Sequence, residues 1–207
     1  MNRPVLALAL ALAAMVGTDA FGGMMTVEPD NFAHGQDIST ADPGVTLQLE
    51  SGRAVYAFDY EDADYASTGT KVFGFDVGFE VEPYWDDLHV FQAVFTELVA
   101  FVSIDVVNND EASSGDSAYM EVFGPGGLLA TIDTTEIAFP GFQTLSYSLA
   151  TRGISSIRVS SVDTGDYSLD RLQYEVPLPT TLTLLVPGLV GLGMRGRRAA
   201  RGRTAPG

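Results

Sequence analysis

The chain has no cysteine, only two histidines, and 11 basic residues against 27 acidic ones among its 207 residues. Without cysteine it can form no disulfide, no zinc–thiolate site and no thiol nucleophile. The sequence also lacks a Gly-x-Ser-x-Gly elbow, a His-Glu-x-x-His pair and a phosphate-binding glycine loop. These absences exclude the common catalytic centres that a motif defines, and they favour a protein that is not an enzyme.

Basic residues are scarce in the middle of the chain. Six of the 11 lie in residues 1–20 and 177–207, so residues 21–176 hold 5 basic and 26 acidic residues, a net charge of −21. A domain this acidic repels nucleic acid and anionic membrane surfaces, which excludes nucleic acid as a partner. Its carboxylates can attract divalent cations.

Long apolar runs are also absent, and the two short ones lie at the ends of the chain. Residues 1–20 have the pattern of a secretory signal peptide, with Arg3 before the apolar run from Val5 to Val16. Small residues precede the expected cleavage between Ala20 and Phe21. We therefore expect export through a secretion translocon.

The second run, residues 180–194, has no charged side chain. As a helix it spans only about 22 Å, less than the roughly 30 Å of a bilayer core. Arginines follow it in residues 195–203, and a basic flank stays on the cytoplasmic side of the membrane. We expect a short transmembrane helix over 180–194 with an arginine-rich tail over 195–203.

Three features in this order, a Val-Pro-x-Pro motif, a short apolar segment and an arginine cluster, resemble the PEP-CTERM sorting signal. The residues that carry the resemblance are Val176, Pro177, Leu178, Pro179, Arg195, Arg197 and Arg198. Leu178 stands where the family usually has glutamate. The resemblance covers residues 177–203 and the preceding Val176, and implies an exported protein of a Gram-negative bacterium. It further implies an inner-membrane-anchored intermediate, processing by an exosortase-type enzyme, and a final place at the cell surface or in an extracellular exopolysaccharide (biofilm) matrix.

Residues 21–176 show apolar side chains with a period of two, interrupted by Gly- and Asp-rich turns, and no sustained helical periodicity. The pattern predicts one all-β domain, an antiparallel two-sheet sandwich of jelly-roll type, and weakly resembles carbohydrate-binding modules. The predicted strands are Val45–Leu49, Arg53–Phe58, Phe73–Val81, Leu88–Phe95, Leu98–Val107, Ala118–Phe123, Leu128–Asp133, Thr144–Leu149, Ile154–Ser160 and Ser168–Glu175.

Two acids, Asp105 and Asp170, share the alternation of neighbouring apolar residues and are predicted to point toward the core. A buried carboxylate needs a cation or several hydrogen-bond donors. Our hypothesis is that they hold a structural Ca²⁺, or pair with an arginine such as Arg158 or Arg171. The alternative is a strand-end position where the side chain reaches water, with no cofactor.

Tyr84 and Trp85 precede two aspartates and form a candidate carbohydrate-binding platform, since aromatic rings stack on sugars while polar groups bind hydroxyls. The alternative is a buried tryptophan. The sequence thus favours an exported, non-catalytic, polysaccharide-associated β-sandwich. Two other functions stay open: a small glycosidase or lyase, which needs only two suitably placed carboxylates, and a purely structural or adhesion subunit of a matrix.

Overall fold

The computed structural model describes residues 23–78, 80–109, 118–161 and 167–176. Within these ranges the chain forms strands joined by turns and two short 3-10 helices, η1 (Pro29–Asn31) and η2 (Ala63–Tyr65). The strands are β1 (Met24–Val27), β2 (Val45–Leu49), β3 (Val55–Asp59), β4 (Lys71–Asp76), β5 (Val81–Glu82), β6 (Phe91–Val99), β7 (Phe101–Asn108), β8 (Ala118–Gly124), β9 (Gly127–Asp133), β10 (Gly141–Ser148), β11 (Ile154–Ser161) and β12 (Tyr167–Glu175).

The strands form two antiparallel sheets. The seven-stranded sheet has the order β10-β7-β12-β4-β3, with β1 paired to β12 and β5 paired to β4. The five-stranded sheet has the order β2-β6-β11-β8-β9. The predicted all-β, two-sheet antiparallel sandwich is confirmed.

The core lies between the sheets and is built by alternation along each strand, because successive side chains of a strand point to opposite faces. In β2, for example, Val45, Leu47 and Leu49 are buried while Thr46 is exposed. Every buried residue of the core cluster lies between Val27 and Tyr174. Residues Met24–Val176 form one compact unit and contain this whole core.

The predicted long strand Phe73–Val81 is two strands, β4 and β5, which pair with each other. Between them Gly78 has a φ of 102°, and its backbone N–H donates to Asp76 Oδ1 at 2.5 Å. This Asx-type turn reverses the chain, because glycine adopts positive φ without steric cost. The predicted turn at residues 124–127 is found between β8 and β9, and strand β1 was not predicted.

No helix among the described residues has the length and apolar character needed to cross a bilayer. The predicted signal peptide of residues 1–20, with its cleavage between Ala20 and Phe21, lies outside the described residues. So do the predicted membrane segment 180–194 and the tail 195–203, including Arg195, Arg197 and Arg198. Of the predicted sorting motif, Pro177, Leu178 and Pro179 also lie outside, whereas Val176 packs partly buried against the core.

Trp85 and its neighbour Tyr84 give a direct test of this arrangement. Trp85 is fully buried and its indole N–H donates to the carbonyl of Phe73 at 2.7 Å, whereas Tyr84 is 43% exposed. We expect Trp85→Ala to lower the free energy of unfolding by about 3–5 kcal/mol, and Tyr84→Ala to change it by about 0.5 kcal/mol or less. Urea unfolding followed by circular dichroism measures both; similar losses in the two variants would contradict this placement of the core.

Candidate functional site

Two buried carboxylates, Asp105 and Asp170, lie opposite each other on the two strands at the middle of the seven-stranded sheet. Both are fully buried, but the prediction that they point toward the core is wrong. Along β7 the core residues are Val102, Ile104 and Val106, so Asp105 points to the outer face. The predicted strand 98–107 is interrupted at Ala100, which reverses the alternation expected from Val99.

A β-bulge explains the orientation of Asp170. The register between β12 and β7 shifts between Asp170 and Gln173, and Arg171 has a φ of 40°. Leu169 and Leu172 therefore both join the core, although they are three residues apart, and Asp170 faces outward. A bulge of this kind redirects side chains in a way that simple alternation does not anticipate.

Asp105 is neutralised by protein groups. Its Oδ2 lies 2.9 Å from the Arg171 guanidinium and accepts a bond from Ser67 Oγ at 2.7 Å. Its Oδ1 accepts from Thr144 Oγ1 at 2.6 Å. Of the two arginines named from the sequence, Arg171 is thus the partner, while Arg158 pairs with Glu50 and Glu121 on the other sheet. For Asp105 the structure shows the arginine-paired form of the hypothesis, because the Arg171 guanidinium lies at its carboxylate.

Asp170 accepts hydrogen bonds from the segment that links β3 to β4. Its Oδ2 accepts from Ser67 N at 2.9 Å, Ser67 Oγ at 2.8 Å and Thr68 N at 3.0 Å, and its Oδ1 accepts from Arg171 N at 2.7 Å. Burial raises the pKa of the Asp170 carboxyl, and these donors oppose that rise. Ser67 Oγ contacts both carboxylates but has one proton to donate, so it donates to only one of them at a time.

Two more acids extend this cluster from the segment after β1. Glu28 Oε1 and Asp30 Oδ2 are buried and have no hydrogen-bond partner within the described part of the chain. Burial, followed by the charge of Asp170, raises the pKa of Glu28 to about 7. Gly69, at φ 55°, packs against Asp30, and a Cβ there would lie 2.1 Å from Asp30 Oδ2. We call Glu28, Asp30, Asp105 and Asp170 the carboxylate cluster.

The carboxylate cluster has an excess of negative charge, since Arg171 is the one guanidinium that the structure places within it. Carboxylate oxygens without partners are ligands that Ca²⁺ accepts. Over residues 23–78, 80–109, 118–161 and 167–176, however, no three acidic or histidine side chains stand ready to hold a metal ion. Asp170 and Glu28 are two carboxylates that could form a cation site only with backbone, hydroxyl or water oxygens as the remaining ligands.

A group of aromatic rings lies over the same outer face. Tyr60 stacks on Tyr65 at 4.9 Å, Tyr65 packs against Phe139 at 5.2 Å, and Tyr84 lies 6.4 Å from Tyr60. The Tyr60 hydroxyl lies 3.0 Å from Ser168 Oγ on β12. We call Tyr60, Tyr65, Tyr84 and Phe139 the tyrosine patch. Its four rings come from three separate loops, and all remain partly exposed.

Tyr84 and Trp85, the pair predicted as a sugar platform, do not form one exposed surface. Trp85 cannot stack on a sugar, because its side chain is fully buried beside Phe75 and Phe91. Tyr84 is exposed, and the rings beside it are those of the tyrosine patch rather than the indole. The structure thus brings Tyr84 together with Tyr60, Tyr65 and Phe139, which sequence spacing did not reveal.

No family model and no curated protein matches the chain. Solved structures with similar folds include the K1 adhesin domain of Lys-gingipain from Porphyromonas gingivalis W83, with 11% identity over 74% of this chain and 98% of that chain and a TM-score of 0.46. They also include TmCBM61 in complex with β-1,4-galactotriose, with 11% identity over 71% of this chain and 100% of that chain and a TM-score of 0.42. A third is the CBM22-1 xylan-binding domain of Paenibacillus barcinonensis Xyn10C, with 13% identity over 76% of this chain and 97% of that chain and a TM-score of 0.41. Carbohydrate-binding modules and adhesin domains are thus among the similar folds, at identities that say nothing about a ligand of this chain.

The carboxylate cluster predicts a pH dependence of stability. A carboxyl whose pKa is raised from 4.5 to about 7 on folding binds its proton more tightly in the folded state, so stability falls as pH rises through that interval. The raised pKa of Asp170 acts in the same direction. We expect the urea midpoint to decrease between about pH 5 and pH 7.

Glu28→Gln removes one titrating group while retaining its shape, so we expect a smaller decrease over the same pH range. Glu97→Gln, at an exposed position on β6, is the matched control and should leave the slope unchanged. An equal slope in the wild type and in Glu28→Gln would show that Glu28 does not carry the effect.

Proposed function

We propose that this chain is an exported β-sandwich that binds polysaccharide without cleaving it, and that the tyrosine patch is its binding surface. The observation that carries the proposal is the geometry of that patch. Rings from three loops are packed against one another above a rigid sheet, and Tyr84 is 43% exposed. Aromatic faces of this kind bind the C–H faces of sugar rings at little entropic cost, because the rings are already fixed.

Polar groups suited to sugar hydroxyls surround the patch. Asp62 and Asp64 are exposed at the turn that precedes Tyr65, and carboxylates accept hydrogen bonds from hydroxyls. The tyrosine hydroxyl of Tyr84 both donates and accepts. In this proposal the rings supply contact area, and the carboxylates and the hydroxyl orient the chain.

A binding role is favoured over cleavage, because the two adjacent carboxylates are buried and bonded to other protein groups. A glycosidase needs two carboxyl groups that reach the scissile bond. The adjacent pair, Asp105 and Asp170, is buried beneath Ser67, where both carboxylates accept hydrogen bonds and Asp105 pairs with Arg171. These carboxyls serve the fold, so we assign the chain no enzymatic activity.

We also propose the route of the protein from the two ends of its sequence. The translocon exports it, residues 180–194 hold it transiently in the inner membrane, and an exosortase-type enzyme processes it at the Pro177-Leu178-Pro179 motif. It then resides at the cell surface or in the extracellular matrix, with exopolysaccharide as its partner. A net charge of −21 over residues 21–176 and the absence of cysteine are compatible with this environment.

A second candidate function, a structural or adhesion subunit of the matrix, is favoured by one observation. β9 and β10 are edge strands, and Asp133 is their only charged residue. Three apolar side chains on them are exposed, those of Leu128, Leu129 and Phe142. Uncharged edge strands can pair with another chain. Concentration-dependent self-association in sedimentation, without retention by any polysaccharide, would favour this function over the first.

Affinity electrophoresis of residues 24–176 tests the polysaccharide proposal. Gels would contain exopolysaccharide from the producing organism, xylan or β-1,4-galactan. We expect retardation of the wild type and about tenfold weaker binding for Tyr84→Ala and Tyr65→Ala, because aromatic residues commonly dominate binding energies. Leu128→Ala, which removes an exposed apolar side chain from the other sheet, is the control. Unretarded migration in every gel, or shortened polymer after incubation, would overturn the proposal.

The structural role of calcium is a separate proposal. We propose that Ca²⁺ binds between two carboxylates, those of Asp170 and Glu28, with backbone, hydroxyl or water oxygens as its other ligands, supported by the buried Glu28 Oε1 that lacks a partner. At pH 8 we expect millimolar Ca²⁺ to raise the melting temperature of the wild type above its value in chelator. Asp170→Asn should lose this response, while Glu97→Gln keeps it. Identical melting curves with Ca²⁺ and with chelator would eliminate the metal.

A further inference from the structure

The five-stranded sheet carries a line of polar side chains across its outer face. Gln48 lies directly opposite Gln92, Gln92 opposite Arg158, Arg158 opposite Glu121, and Glu121 opposite Thr131. The line crosses all five strands at right angles to them. Its members alternate with residues of the core cluster, so they point away from the core. We call these five residues the transverse row.

The transverse row is held in place before any ligand arrives. Gln48 Nε2 donates to Gln92 Oε1 at 2.7 Å. The guanidinium of Arg158 lies between Glu50, which it contacts through Nη2, and Glu121, which lies 3.6 Å from Nη1. The Arg158 Nε is buried, and carboxylates contact both Nη atoms. Side chains that are already fixed lose little entropy when they bind.

Aromatic rings stand on both sides of this row. Tyr119 precedes Glu121 by two residues and Phe123 follows it by two, so both lie on the same outer face of β8. Both are partly buried rather than fully exposed. The face thus combines amide, guanidinium, carboxylate and hydroxyl groups with flanking rings, a combination suited to a ligand with many hydroxyls and apolar C–H faces.

The spacing of the row matches a linear polysaccharide. Neighbouring strands lie ~4.8 Å apart, which is about the length of one sugar unit, so five strands span about 19 Å. Each strand is rotated by roughly 20–25° relative to the next, so the direction in which the side chains of the row face rotates by about 80–100° from β2 to β9. A flat crystalline polysaccharide cannot follow such a turn, whereas a single soluble chain can.

We infer that the transverse row is a second binding site, for a single soluble chain of neutral polysaccharide about four or five sugars long. Neutral sugars are favoured because Glu50, Glu121 and Asp133 bring negative charge to this face, opposed by Arg158 alone among the described residues of the row and its two ion pairs. The inference shares the ligand class of the proposed function but uses the opposite sheet. Its test must therefore separate the two surfaces.

Nuclear magnetic resonance of residues 24–176 locates binding directly. The probes are β-1,4-xylopentaose, β-1,4-galactopentaose and a five-sugar fraction of the producing organism's exopolysaccharide. We expect at least one probe to shift the side-chain amide resonances of Gln48 and Gln92 and the Nε–H resonance of Arg158. Replacing both glutamines with alanine should weaken this binding about tenfold, since two hydrogen-bonding side chains are lost. Gln173→Ala, on the other sheet, is the matched control.

The outcomes separate the two proposals. If the resonances of the transverse row stay fixed while those of Tyr65 and Tyr84 shift, the inference fails and the proposed function stands. If no resonance shifts with any probe, both fail. Tighter binding of the domain to crystalline cellulose than to soluble chains would overturn the single-chain part of the inference. Loss of circular dichroism in the double variant is checked first, and single Gln48→Ala and Gln92→Ala variants replace it if it unfolds.

Discussion

Two carboxylates placed directly opposite each other, Asp105 and Asp170, set the main constraint on this structure. Like charges at opposed positions of neighbouring strands destabilise a sheet, and burial raises that cost. The fold resolves the conflict with Arg171, which reaches Asp105, and with Ser67, whose hydroxyl contacts both acids. The bulge at Arg171 and the segment between β3 and β4 bring these groups to the two carboxylates.

The same constraint positions the tyrosine patch. The segment that Asp170 binds through Ser67 and Thr68 also contains Tyr60 and Tyr65. Burial raises the pKa of the Tyr60 hydroxyl well above its ordinary value, so it stays protonated and its contact with Ser168 is maintained. Buried charge is a poor source of stability by itself, but here it fixes one conformation of a loop. The aromatic surface thereby acquires its order from polar contacts beneath it.

The sequence predicted the sandwich and most strands because one face of each strand is apolar and the turns contain glycine or aspartate. It also indicated that Asp105 and Asp170 are buried, but it placed them against the core, since alternation counts cannot show the break at Ala100 or the bulge after Asp170. Glu28, Ser67 and Phe139 were missed because their roles arise from contacts between distant segments. For Trp85 the sequence left a surface platform and a buried side chain both open, and the structure shows that it is buried.

The two proposed binding surfaces lie on opposite sides of the sandwich. The tyrosine patch covers the outer face of the seven-stranded sheet, whereas the transverse row crosses the outer face of the five-stranded sheet. If both proposals hold, one domain would join two polysaccharide chains, and a polymer with many sites would bind it far more tightly than a short oligosaccharide. A protein that links polymer chains is at once a binding protein and a structural part of the matrix. The distinction between the two candidate functions then rests on whether the link is made through sugar at these faces or through other copies of the chain at the edges β9 and β10.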